Sequence, residues 1–155
     1  MKKVFKISLL FVFILGLLSA FYLAIYAKKT LKIQTPAGEI ISFQVEQALT
    51  PEEQRLGLMN RERMSPKTGM IFLFQPPRVA RMWMKNTLIP LDMIFFNQKG
   101  KVVYVHHNAI PMDETIISSI RPVAGVLEIN AGEAKKYGIQ KGTRLDLKAF
   151  NKIFK

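Results

Sequence analysis

Few residues of this chain could do chemistry, and carboxylates lead them. In the stretch WMKNTLIPLDMIFF, Trp83 to Phe96, the polar residues Lys85, Asn86, Thr87 and Asp92 are threaded through one of the most apolar segments. A carboxylate carried into a core without a partner is strongly penalised or gives up its charge. Glu128 poses the same question inside VAGVLEIN. Two carboxyl groups facing each other across a cleft would serve glycoside hydrolysis. Asp92, Asp113, Glu114 and Glu128 are the candidates, and Asp92 with Glu128 is the pair an envelope hydrolase acting on glycans would use. The structural alternative is that each acid accepts hydrogen bonds from an arginine or from backbone N–H groups. Arg55 and Arg61, beside the first helix, are the expected partners.

Other chemistries find less support. There is no cysteine, so disulfides, thiol nucleophiles and zinc–thiolate sites are excluded. His106 and His107 are adjacent, and neighbours on a strand point to opposite faces, so they cannot chelate one metal together. No metal and no cofactor is expected. Ser65, Ser118 and Ser119 lack a Gly-x-Ser-x-Gly elbow, and Gly57, Gly69 and Gly125 are isolated rather than part of a phosphate-cradling loop. Met59, Met64, Met70, Met82, Met84 and Met93, with Trp83, Phe95 and Phe96, read as core. Capture of copper by methionines lacks the cysteine or histidine pair that would support it.

The elements that must position these residues are mainly strands. LKIQ and EIISFQVEQAL flank the turn TPAG, and Ile41, Phe43 and Val45 alternate with polar residues at the period of a half-buried strand. Thr50, Pro51 and Glu53 open a short helix with a capping box. GMIFLF and RVARMWMK read as two strands joined across QPP. LDMIFF and KVVYVHH form a hairpin turning at NQKG. NAIPMDETIISSIRP reads as a long loop, VAGVLEIN as a strand, and NAGEAKKYG as a second short helix capped by Asn130 and Glu133. RLDLKAF closes the chain. The pattern predicts about eight strands and two short helices in a compact, mostly antiparallel β-sandwich or barrel-like domain.

A different segment precedes this domain. Ile7 to Ala27 is uncharged and long enough, at about 1.5 Å per residue, to span roughly 30 Å of hydrocarbon as an N-terminal hydrophobic helix. Cleavage after Ala20 or Ala27 would put Leu18 or Ile25 at the minus-three position, a poor signal-peptidase site. Residues 1–29 are therefore read as a membrane anchor ahead of a removable signal, and 30–155 as an exported domain at the cell envelope, periplasmic or secreted if the segment is cleaved. The net charge of +12 includes five lysines in and beside the apolar segment; the rest keeps 18 basic and 11 acidic residues. With a membrane segment attached, that balance points to lipid headgroups, envelope glycans or a protein partner rather than to nucleic acid.

Taken together, RLGLMNRERMSPKTGMIFLF, WMKNTLIPLDMIFF, VLEINAGEAKKYGI and the closing glycine turn resemble, in order and spacing, the domain of unknown function 192 family over about Ile40 to Leu147. The resemblance implies a compact β-rich exported domain and no established reaction. It covers Arg55, Gly57, Leu58, Met59, Arg61, Gly69, Met70 and Phe72. It continues through Met84, Asn86, Thr87, Pro90, Leu91 and Asp92 to Glu128, Gly132 and Gly138. Thr143 and Asn97 stand where members often carry aspartate. The expectation is a non-catalytic binding or accessory domain, with Arg55, Arg61, Lys85, Asn86, Thr87, Asp92 and Glu128 as the polar cluster of a site for a polar or anionic ligand.

Overall fold

The computed structural model describes residues 28–150, so the expected N-terminal hydrophobic helix lies outside the described residues and Lys29 already stands in a strand. In chain order the elements are β1 Lys29–Gln34, β2 Ile40–Ala48, α1 Pro51–Leu56, β3 Thr68–Met82 and β4 Leu91–Phe96. After these come β5 Val102–Ala109, β6 Ile117–Asn130, α2 Glu133–Lys136, β7 Arg144–Leu145 and a 3-10 turn Leu147–Phe150. The seven strands form one sheet in the order β5-β4-β6-β3-β2-β1-β7. All neighbours are antiparallel except β2 and β3, which run parallel because α1 and its loop return the chain to the same end. The sheet curls until its outermost strands meet at one corner, where Lys101 pairs with Arg144 and the Leu145 N–H donates to the Gly100 carbonyl at 2.8 Å. The result is a half-barrel rather than two stacked sheets.

Period-two alternation sends side chains into two cores. Leu31, Ile33, Phe43, Val45, Ile94, Phe96, Leu127 and Ile129 fill the inner face, plugged by Ala134, Ile139, Leu147 and Phe150. Met70, Phe72, Phe74, Leu91, Met93, Phe95 and Val126 form the outer face, covered by Leu58, Ala80, Met84 and Ile89. A strand covered on both sides loses its polar face, and every residue of β4 is buried. β3 and β6 approach closely beside these cores. A Cβ on Gly125 would overlap the Phe72 carbonyl oxygen and the Phe96 ring, and one on Gly69 would overlap the Glu128 carbonyl oxygen.

The expected fold class holds in its outline and changes in three details. GMIFLF and RVARMWMK are one strand, β3, whose register with β6 slips between Leu73 and Arg78. A chain can bulge through QPP without leaving the sheet, so seven strands stand where eight were expected. The second half of the expected long loop is strand: β6 starts at Ile117 and pairs with Met82. The first helix has its capping box as read, with Thr50 and Glu53 reciprocally bonded. The second does not. Gly132 is its N-cap without a side-chain bond, Asn130 donates instead to the carbonyls of Met64 and Ser65, and Glu133 accepts from the Lys67 N–H at 2.9 Å.

Candidate functional site

The register of β4 on β6 decides what the two acids can do. Asp92 lies opposite Ile129 and Met93 opposite Glu128. Consecutive residues point to opposite faces, so Asp92 enters the inner core and Glu128 the outer one. The paired-carboxylate arrangement expected of a glycan hydrolase is therefore not built: the sheet itself separates the two groups.

Asp92 is fully buried and satisfied. Its Oδ1 accepts from the Asn108 N–H at 3.0 Å, and its Oδ2 from the Ala134 N–H at 2.9 Å. His107 Nδ1 stands 3.8 Å from Oδ1, half-exposed. The carboxylate thus ties the end of β5 and the first turn of α2 to β4. Of the two kinds of donor expected for it, backbone N–H groups rather than an arginine supply its bonds. These donors lie 16 and 42 residues away in the chain.

Glu128 is the opposite case. It is 4% exposed, and among the described residues no hydrogen bond or ion pair reaches its carboxyl. Burial alone pushes its pKa up to about 8, so near neutrality the group holds its proton and is a donor. It lines a small cavity of about 70 Å³ on the outer face. The buried walls are Leu58, Phe72, Phe74 and Thr87, and the outer walls are Met82 and Trp83. Arg55, Arg78 and Arg81 stand at the mouth, all exposed. Arg78 packs over the Phe74 ring at 4.2 Å and donates to Gln54 Oε1 at 3.1 Å. Arg55 is engaged by Glu52. The loop glycine Gly57 helps shape the pocket: its φ is +50°, and a Cβ there would press on the Phe72 ring at 3.3 Å.

Of the seven residues expected to cluster, Arg55, Thr87 and Glu128 share this pocket, and the other four do not. Arg61 makes a two-pronged ion pair with Glu46, at 2.7 and 2.6 Å, which holds the Glu46 carboxyl below the usual range. Lys85 lies 3.8 Å from Glu114 near the surface. Asn86, at φ +51°, turns the chain and receives the Asn60 N–H on its carbonyl. Sequence reasoning missed Gln54, Arg78 and Arg81. Their only signal was an arginine on each side of an apolar alternation, which reads as ordinary strand surface. It also missed Glu133, which is buried with Oε2 unpartnered and has its pKa raised chiefly by burial. Among the described residues no group of three or more metal-binding side chains is assembled.

Fold and site together define a half-barrel whose sheet carries two buried acids on opposite faces, Asp92 bonded to backbone N–H groups and Glu128 with no protein partner among the described residues. The chain belongs to the domain of unknown function 192 family, described as "Uncharacterized ACR", whose model matches residues 32–147. A Sinorhizobium meliloti protein provisionally described as a transcription regulator has a similar crystal structure, with TM-score 0.77 and 45% identity, covering 78% of this chain and 94% of its own. A Novosphingobium aromaticivorans protein of unknown function is also similar, with TM-score 0.74 and 39% identity, covering 77% of this chain and 84% of its own. No curated protein matches the chain.

Proposed function

We propose that the chain is a membrane-anchored binding domain displayed outside the cytoplasm, whose ligand enters the pocket over Glu128. One observation supports this reading above the others: a carboxyl group 4% exposed, with no partner among the described residues, lining a cavity. Structural acids are hydrogen-bonded when buried, and an unsatisfied one marks a place where something else completes the bonding. The proton on Glu128 suits a ligand acceptor such as a carbonyl, hydroxyl or carboxylate oxygen. The aromatic and methionine walls suit an apolar body, and Arg78 and Arg81 suit an anionic group at the mouth. An amphipathic envelope molecule with a negative end meets all three requirements. The uncharged run Ile7–Ala27 supports the anchor. Among the described residues no helix is long and apolar enough to cross a membrane.

A thermal-shift screen of the full chain in detergent, against envelope sugars, lipid fragments and peptides, tests the pocket. A ligand at 100 times its dissociation constant stabilises by about 2.7 kcal/mol. The expected result is a ligand that shifts the natural chain and leaves Glu128→Leu unshifted. A ligand that shifts both equally binds elsewhere and removes the assignment.

A further inference from the structure

The sheet register places the start of the described chain and one set of lysines at the same end of the half-barrel. Lys29 pairs with Val45, Val45 with Gly69, Gly69 with Ile129 and Ile129 with Asp92, so one row of residues crosses five strands. Lys28 and Lys29 stand at one side of this end. Lys67 precedes the first residue of β3, and Lys135 and Lys136 lie on α2 just past the end of β6. Lys67 and Lys136 both hold their ammonium groups 5.3 Å from the Tyr137 ring, which brings them to one spot. Lys67, Lys135 and Lys136 are exposed. Of the acids at this end, Asp92 and Glu133 are buried and Glu46 is held by Arg61, while Glu62, Asp113 and Glu114 are exposed.

Chain length makes this arrangement consequential. The apolar run ends at Ala27 and β1 begins at Lys29, leaving a single residue between them. At about 3.3–3.6 Å per extended residue, β1 starts within roughly 7 Å of the end of that run. The headgroup layer on each side of a bilayer is itself about 5–8 Å deep. A domain joined so directly to a membrane segment has no slack to stand away from it.

We infer that the end of the half-barrel carrying Lys67, Lys135 and Lys136 docks on the anionic lipid headgroups of the bilayer in which Ile7–Ala27 is seated. The inference rests on the anchor proposed above and adds to it an orientation and a lipid class. Lysines close to an anionic surface are attracted over about a Debye length, so the contact weakens as salt rises. The Glu128 pocket lies on the outer face of the sheet, with Glu128 one residue along β6 from that row.

The absence of native cysteine permits single labels without background. The full chain, reconstituted in phosphatidylcholine vesicles with or without added phosphatidylglycerol, carries a fluorophore at Lys67→Cys or Lys136→Cys. Ala37→Cys and Lys99→Cys, on exposed turns at the opposite end, serve as controls. With a nitroxide on the lipid headgroup, the first pair is expected to be quenched several-fold more than the controls. The excess should grow with phosphatidylglycerol and shrink with salt. A chain retained through an alkaline carbonate wash but quenched alike at all four positions overturns the docking and leaves the anchor standing. A chain removed by that wash overturns the anchor and the docking with it. Quenching at 67 and 136 that ignores both phosphatidylglycerol and salt overturns the anionic lipid class.

Discussion

Asp92 and Glu128 sit on neighbouring strands, one pair apart in register, and both are buried, yet they live in different chemical worlds. On the inner face, two backbone N–H groups meet Asp92. On the outer face no protein group among the described residues meets the Glu128 carboxyl, and the cavity beside it is bordered by arginines. The same residue chemistry in the same sheet thus yields a fastener on one side and, on the other, an acid beside a cavity with no protein partner among the described residues. Burial alone does not tell the two apart; the location of the partner does. A satisfied buried acid contributes to stability because its donors would otherwise be orphaned. An unsatisfied one costs stability, and a protein keeps such a group where it serves a function.

The largest expected effect breaks the first half of that comparison. Asp92→Ala removes the acceptor of two buried N–H groups that hold β5 and α2 against β4. The expected loss is about 3–5 kcal/mol in urea unfolding. Asp92→Asn keeps the shape but turns an NH₂ toward one of the donors, and should lose roughly half as much. A loss below about 1 kcal/mol would mean that water satisfies these N–H groups as well as the carboxylate does.

Next in size is the pH behaviour of Glu128, which should carry the opposite sign. Its folded pKa is about 8 against an ordinary 4.5. Between those values the folded state holds a proton that the unfolded chain has released, so stability falls as pH rises from about 4.5 to about 8. Below that window the group contributes no pH dependence. Glu128→Gln cannot ionise and should match the natural chain near pH 4.5, then exceed it by an amount on the order of 5 kcal/mol above pH 8. Parallel stability–pH curves for the two chains would show that Glu128 has a partner in solution, and the contrast with Asp92 would vanish.

How much of this could be read before the structure follows from the same distinction. The alternation in LDMIFF divides Leu91, Met93 and Phe95 from Asp92, Ile94 and Phe96, because a strand's side-chain period is local. The Thr50–Glu53 cap was equally legible, being a matter of four residues. The partners of Asp92 were not legible, since any backbone N–H can donate and nothing in the residues at 108 and 134 marks them. The Glu128 pocket was half legible. Arg55 and Thr87 were expected there, whereas Arg78 and Arg81 arrive through the slips in β3 register around QPP and beyond, and Gln54 from α1. Lys85 and Arg61 were placed in the site because charges near an apolar segment look purposeful. Glu46 and Glu114, remote in sequence, claim them instead.

Lys85 supplies the smallest effect and the sharpest control on the comparison, because it comes from the same stretch as Asp92. Its ammonium is 3.8 Å from Glu114, with the two side chains 44% and 61% exposed, and 5.7 Å from the Trp83 ring. Exposed pairs of this kind contribute about 0–1 kcal/mol, since water screens the charges and two long side chains lose freedom to meet. Lys85→Ala should therefore shift the thermal midpoint by no more than a few degrees. Trp83 also forms an outer wall of the Glu128 pocket, so Lys85 touches the site only through that ring. If Lys85→Ala leaves stability alone but weakens a pocket ligand, Lys85 acts by holding Trp83 in place, and the pocket extends one residue further along the segment than its lining suggests. If both are unchanged, the Lys85 charge belongs to the solvent, and within this stretch Asp92 is the buried charged residue, facing the inner core while Glu128 of β6 faces the outer one.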